Sequence, residues 1–135
     1  MNRILYISTA RMPLLDRDLR ILLETSRRNN AAVNVTGLLV VGGRRFLQAL
    51  EGPPDAVSAV YERIARDPRH FAIVKLGEKS ISERSFENWS MGFQTGGVAG
   101  DAASLEEQVA AIVAPIGDPT LRAYFTDFAR RHSPA

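Results

Sequence analysis

Two polar side chains stand inside apolar runs, and any chemistry is to be sought there first. Gln48 lies in Phe46-Leu-Gln-Ala-Leu50 and Tyr6 in Ile4-Leu-Tyr-Ile7. Alternate residues of a strand share a face, so Phe46, Gln48 and Leu50 should point together into a helix-packed core. A buried amide without a partner costs about 1–3 kcal/mol, and a buried phenol also seeks a hydrogen bond. A contact between Tyr6 and Gln48 on neighbouring strands would meet both needs. A structural glutamine bonded to backbone or nearby side chains is the plainer account. Asn29-Asn30 follows a helical stretch. Asparagine there is ordinarily a C-terminal cap, yet a carboxamide also offers two donors and an acceptor, the complement of a heteroaromatic edge bearing carbonyl and imine groups. Arg69-His70 is either a pair complementing a helix dipole or a contact for an anion. Trp89 and Met91 read first as core or edge packing. Glu51, Asp55 and Asp67 could form a carboxylate site, although helix caps and surface charge explain them more simply.

Composition narrows the classes of function. A chain of 135 residues, 45% hydrophobic and 24% charged, reads as one soluble globular domain able to bury a core without a disulfide or metal staple. It has no cysteine, which excludes thiolate nucleophiles, iron–sulfur clusters, cysteine zinc sites and redox disulfides. His70 and His132 are the only imidazoles, so no metal site is expected. There is no Gly-x-Gly-x-x-Gly after a strand, no Walker-type Gly-Lys-Ser/Thr and no Gly-x-Ser-x-Gly elbow, which weighs against nucleotide hydrolysis and acyl hydrolysis. No apolar run approaches a membrane span, and the apolar N-terminal run is too short for a secretion signal, so a cytoplasmic location and no membrane partner are expected. The isoelectric point of 9.4 suggests nucleic acid until the charges are divided. Residues 1–95 carry 14 basic and 10 acidic side chains and residues 96–135 carry 3 and 5, a dispersed excess that does not favour a nucleic-acid partner. Arginine supplies 15 of the 17 positive charges and suits bidentate contact with an anionic ligand.

These side chains must be positioned by a small set of elements. Arg3–Thr9 reads as a strand buried on both faces, and Pro13 breaks the chain after it. From about Leu14 to Asn29, Leu15, Leu19, Leu22 and Ser26 share a helical stripe. Thr36–Val41 and Arg45–Glu51 form a hairpin across a turn at Gly42-Gly43. Val57, Val60, Tyr61, Ile64 and Ala65 mark a second amphipathic helix ending near Asp67-Pro68. Phe71–Leu76 is a fourth strand and Trp89–Gln94 a short fifth. The order βαββαβ with a final β predicts an α+β, ferredoxin-like, mostly antiparallel sheet with both helices on one face. Gly96-Gly97 and Gly100 loosen the chain, Leu105, Val109, Ile112 and Val113 form an apolar stripe, and Asp118-Pro119 resembles a helix cap before Leu121, Tyr124, Phe125 and Phe128. Two such C-terminal helices should cover the second face of the sheet.

The same residues resemble a known family, the BLUF domains, blue-light sensors using flavin adenine dinucleotide (FAD). The match runs over about residues 2–94 on Tyr6, Ser26-Arg-Arg-Asn-Asn30, Thr36-Gly-Leu-Leu39, Phe46-Leu-Gln-Ala-Leu-Glu-Gly-Pro53, Asp67-Pro-Arg-His70 and Phe86-Glu-Asn-Trp-Ser-Met91. The resemblance implies a ferredoxin-like sheet with the flavin between its two helices. It implies that Tyr6 donates an electron and a proton to the excited flavin, and that Gln48 is a switching glutamine between Tyr6 and the flavin. Glutamine suits this because rotation or tautomerisation exchanges donor and acceptor without moving a formal charge. By the same resemblance Asn30 fixes the pyrimidine edge of the ring with Ser26 and Asn29 nearby. Arg69 and His70 contact the ribityl and phosphate portion with Asp67, and Trp89 and Met91 relay the change into the last strand. Asn29 stands where some members carry histidine.

The expectation is thus a non-enzymatic photosensor, residues 1–95, with a two-helix extension, residues 96–135, packed on the same domain. FMN or riboflavin could occupy the same pocket. Its signal should leave through protein contact, in a homo-oligomer or with a separate effector protein. The alternatives are a ferredoxin-like small-ligand binding module or enzyme without photochemistry, since one fold hosts many functions, and a flavoenzyme with dark redox turnover.

Overall fold

A computed structural model describes residues 1–11, 16–42, 44–86, 92–95 and 105–132. The break expected at Pro13, the helix start at Leu14-Leu15, Gly43 of the turn, Trp89 to Met91 and the loosened Gly96–Gly100 stretch lie outside these residues. The elements are β1 (Asn2–Ala10), α1 (Asp16–Ala32), β2 (Thr36–Gly42), β3 (Arg45–Gly52), α2 (Pro54–Ala65), β4 (His70–Ser80), β5 (Gly92–Thr95), α3 (Leu105–Val113) and α4 (Pro119–His132). The sheet order is β4-β1-β3-β2-β5. Each neighbouring pair among the first four strands is antiparallel, as a split βαβ arrangement requires, and β5 joins β2 in parallel.

Strand periodicity divides the core in two. Ile4, Tyr6, Leu39, Val41, Phe46 and Leu50 face α1 and α2, where Leu23, Val57 and Val60 meet them. Leu5, Leu38, Val40, Leu47 and Ala49 face the opposite way, against Val109 and Val113 of α3 and Leu121, Phe125 and Phe128 of α4. The C-terminal helices therefore cover the second face, and all three central strands are buried on both sides. Each fully buried aliphatic or aromatic side chain contributes about 1.5–3 kcal/mol to this double core.

Local signals account for the element ends. α2 begins on Pro53-Pro54, where a proline in the first turn loses no hydrogen bond, and Asp55 complements the helix dipole. Asp118 caps α4, its Oδ1 accepting from the backbone N–H groups of Thr120 at 2.9 Å and Leu121 at 3.2 Å. α1 differs from the sequence reading, for it continues through Asn29-Asn30 to Ala32. Its stop is Asn34, with φ of 64°, which donates to the Ala31 carbonyl while Val35 donates to the Asn30 carbonyl. That is a Schellman termination, in which asparagine replaces the usual glycine and the buried Val35 supplies the accompanying apolar contact.

β4 is also longer than the apolar run Phe71–Leu76, because it pairs along nearly the whole of β1, from Asn2 with Ser80 to Ala10 with His70. Two register shifts interrupt this ladder, and Ala72, with φ of 52°, lies within one of them. Such bulges twist an edge strand and re-aim its side chains.

Candidate functional site

The pairing of β1 with β3 places Tyr6 directly opposite Gln48. Both side chains rise on the face toward α1 and α2, both are buried, and the Tyr6 hydroxyl donates to Gln48 Oε1. Burial, and then the neighbouring Tyr61, hold the Tyr6 hydroxyl far above the usual phenol range, so the proton stays on it. The Tyr61 ring meets the Tyr6 ring edge-on at 5.4 Å.

This pair forms the floor of a cleft between α1 and α2. Ser26, Asn29 and Asn30 reach it from α1, Asp67 and Arg69 from the loop between α2 and β4, and His70 from the first position of β4. Asn29 and Asn30 occupy the last turns of α1 rather than a cap beyond it, which points their carboxamides sideways from a rigid helix; Asn30 is buried and Asn29 exposed. Leu22, Leu39, Phe46, Val60 and Ile64 supply apolar walls. Apolar walls with a few fixed carboxamides at one edge suit a flat heteroaromatic ring, whose faces need no hydrogen bonds and whose edge needs both donors and acceptors.

At the mouth, Asp67 and Arg69 form a fork. Asp67 Oδ2 accepts from Arg69 Nη2 at 2.5 Å and Oδ1 accepts from the Arg69 backbone N–H at 2.9 Å. The Arg69 hydrogen bond first of all holds the Asp67 carboxyl below its ordinary range. His70 Nδ1 lies 3.3 Å from the Oγ of the fully buried Ser8, and its ring meets Phe46 edge-on at 5.3 Å.

Burial pushes the His70 imidazole below its ordinary 6.5, with Arg69 adding to the shift and Asp67 opposing it. The neutral ring is thus favoured in the folded protein. Below pH about 6.5 the unfolded chain takes up the proton more readily, so His70 lowers stability as the pH falls from there through its depressed folded value. A proton NMR titration of the His70 ring is expected to show a midpoint below 6.5. In Asp67→Asn the midpoint should fall further, because the opposing carboxylate is gone. A midpoint at or above 6.5 in the native protein contradicts this burial.

The eight side chains named above as candidate cofactor contacts converge on this one cleft. Trp89 and Met91 lie outside the described residues. Sequence reading missed Thr25 and Arg63, which also line the cleft, and Ser8. Ser8 was signalled only by its place two residues after Tyr6, on the same face. The assignment of Glu51 to surface charge or capping is overturned, since its side chain is fully buried. It lies three residues after Gln48 on the opposite face of β3, where period-two alternation sends it inward beneath α3 and α4. Among the described residues no group of histidines and carboxylates could hold a metal ion, and no helix is long and apolar enough to cross a membrane.

Comparison with known proteins adds sequence relationships to this geometry. Residues 1–92 match the family model for sensors of blue light using FAD. The photoactivated adenylate cyclase subunit beta of Euglena longa is 38% identical over 87 residues, 64% of this chain and 10% of that protein. The blue light- and temperature-regulated antirepressor BluF of Escherichia coli is 42% identical over 55 residues, 41% of this chain and 14% of that one. This chain therefore spans about a tenth of the cyclase relative's length. The structure of BlsA in its photo-activated state superposes with a TM-score of 0.72 at 27% identity, over 96% of this chain and 94% of that one.

Proposed function

The chain belongs to the BLUF family, the sensors of blue light using FAD, and from that premise we propose that it is a flavin photoreceptor whose light-operated switch is Tyr6 with Gln48. The observation that carries the reading is their direct opposition across β1 and β3, hydrogen-bonded at the floor of an apolar cleft rimmed by carboxamides. Bound flavin supplies the blue absorption and the acceptor for an electron from Tyr6. Everything else falls to the chain itself. Tyr6 holds its proton in the dark; in the light the proton would leave Oη along the hydrogen bond to Gln48 as the electron leaves, and both would return to Tyr6, so that no net oxidation and no added charge remain. Gln48 then exchanges its donor and acceptor ends, which needs no buried charge and only a rotation or tautomerisation of one amide.

Asn30, with Ser26 and Asn29, orients the ring edge from α1. Arg69 and His70, braced by Asp67, meet the ribityl and phosphate portion. Because the cleft grips the ring, FMN or riboflavin can occupy it as well. Trp89 and Met91 pass the change toward β5. No substrate is consumed. Residues 1–95 form the sensor and residues 96–135 an extension, and the signal leaves through a homo-oligomer or a separate effector in the cytoplasm.

An absorption spectrum before and after a blue flash tests the reading. The purified protein is expected to be yellow, and the flash to shift the flavin bands to the red, with return in darkness. A colourless protein that refuses added flavin contradicts it.

A further inference from the structure

Beneath α3 and α4, on the face of the sheet away from the cleft, lies a polar network that the switch does not use. Glu51 is its centre: a carboxylate with no exposed surface. Its Oε1 accepts from the backbone N–H groups of Ser85 at 2.6 Å and Phe86 at 3.2 Å, and its Oε2 lies 3.5 Å from Arg3 Nη1. The other arm of the same guanidinium, Nη2, donates to Asp118 Oδ2 at 2.6 Å, where Lys79 Nζ also donates at 3.0 Å. Asp118 Oδ1 is meanwhile the cap of α4. Arg84, beside the anchored amides, donates to Thr36 Oγ1, the Glu51 carbonyl and the Asn34 carbonyl.

Each carboxylate thus has two oxygens with two separate tasks. One oxygen holds backbone amides and the other faces Arg3. The guanidinium is a rigid planar fork, so its two arms cannot move independently. Its side chain is only 9% exposed, where a misplaced charge is expensive. Arg3 and Glu51 are cross-strand partners in β1 and β3, three residues along from Tyr6 and Gln48 respectively. Phe86 stands six positions before Gly92, the first residue of β5, and β5 lies beside β2.

We infer that Glu51 is a positioning residue, which anchors the Ser85-Phe86 amides and, through Arg3 and Asp118, ties them to the first turn of α4. The anchor and the helix end behave as one coupled unit. Its use in carrying a light signal rests on the function proposed above; the coupling itself does not.

Two variants separate the tasks of each carboxylate. Glu51→Gln keeps an oxygen for the two amides and removes the charge facing Arg3. Asp118→Asn keeps a good helix cap and removes the ion pairs with Arg3 and Lys79. Amide hydrogen exchange by NMR on the full chain in darkness is expected to show reciprocity. Asp118→Asn should speed exchange of Ser85 and Phe86, and Glu51→Gln that of Thr120 and Leu121, each by at least about threefold, with the double variant short of the product of the two. A purely local role for either residue moves only the amides beside it, and that result overturns the inference. Asp118 keeps part of its side chain exposed and its change is conservative, so its effect on Ser85 and Phe86 decides the matter even where Glu51→Gln fails to fold.

Under blue light the native protein should change exchange at Thr120 and Leu121, and Asp118→Asn should not, with equal flavin red shifts in both. A light response of those amides in Asp118→Asn equal to the native one overturns the use of this link in signalling. A native protein with no red shift at all refutes the photoreceptor reading instead, and the dark measurements still decide the coupling.

Discussion

Gln48→Leu should give a protein that still binds flavin and no longer shifts its spectrum in blue light. Leucine fills nearly the same volume, and the walls of the cleft are untouched, so the ring keeps its apolar contacts. What disappears is the only group opposite Tyr6 in the β1–β3 ladder that can alternate between donor and acceptor. The expected loss is complete: no red shift at any light dose that produces one in the native chain. A normal, dark-reversible shift in Gln48→Leu would remove Gln48 from the switch. The same change carries a stability signature independent of light. It leaves the Tyr6 hydroxyl buried without its partner, which should cost about 1–3 kcal/mol in denaturant unfolding. Tyr6→Phe added to Gln48→Leu removes the orphaned hydroxyl and should recover most of that loss, since replacing both members of a buried pair is far milder than removing one.

Gly37→Ala should destabilise the fold by about 3 kcal/mol or more, the upper end of the range for overpacked interiors. A Cβ at Gly37 would stand 2.1 Å from the Ala49 carbonyl oxygen and 3.2 Å from its carbon. The obstacle is backbone of the neighbouring strand, which cannot turn aside like a flexible side chain. Relief requires β2 and β3 to separate, and β3 carries Gln48 on one face and Glu51 on the other. Urea unfolding checks this, with Gly77→Ala as the control. Nothing lies within 4 Å of a Cβ at Gly77, on the edge strand, so its effect should stay within about 0.5 kcal/mol. Equal stabilities for the two variants would show that β2 can move without cost.

The same two strands show what was legible in the residues and what was not. Alternation alone turns Phe46, Gln48 and Leu50 to one face and Leu47, Ala49 and Glu51 to the other, and the helical stripe of Val57, Val60 and Ile64 finds its own side of the sheet. The cap at Asp118-Pro119 and the proline start of α2 needed only a few neighbouring residues. The end of α1 was misread because Asn29-Asn30 looks like a stop while the Schellman termination at Asn34 draws on backbone bonds several residues apart. Glu51 was misread because a carboxylate at the end of a strand is ordinarily solvated, and its partners lie far along the chain.

The sequence by itself determined which face of β1, β2 and β3 the apolar residues take, where α2 and α4 begin, and that two polar groups had to be buried and therefore partnered. These follow from periodicity, capping and turn chemistry, which act over a few to a dozen residues. Only the tertiary structure decided who the partners are. Tyr6 meets Gln48 from 42 positions away and Arg3 meets Asp118 from 115. β5 adds to β2 in parallel, outside the antiparallel ladder. The physical reason is that strand register and buried ion pairs are settled by packing both faces of the whole sheet at once. A one-residue slip of β1 against β3 would break the opposition of Tyr6 and Gln48 as surely as it would break the core.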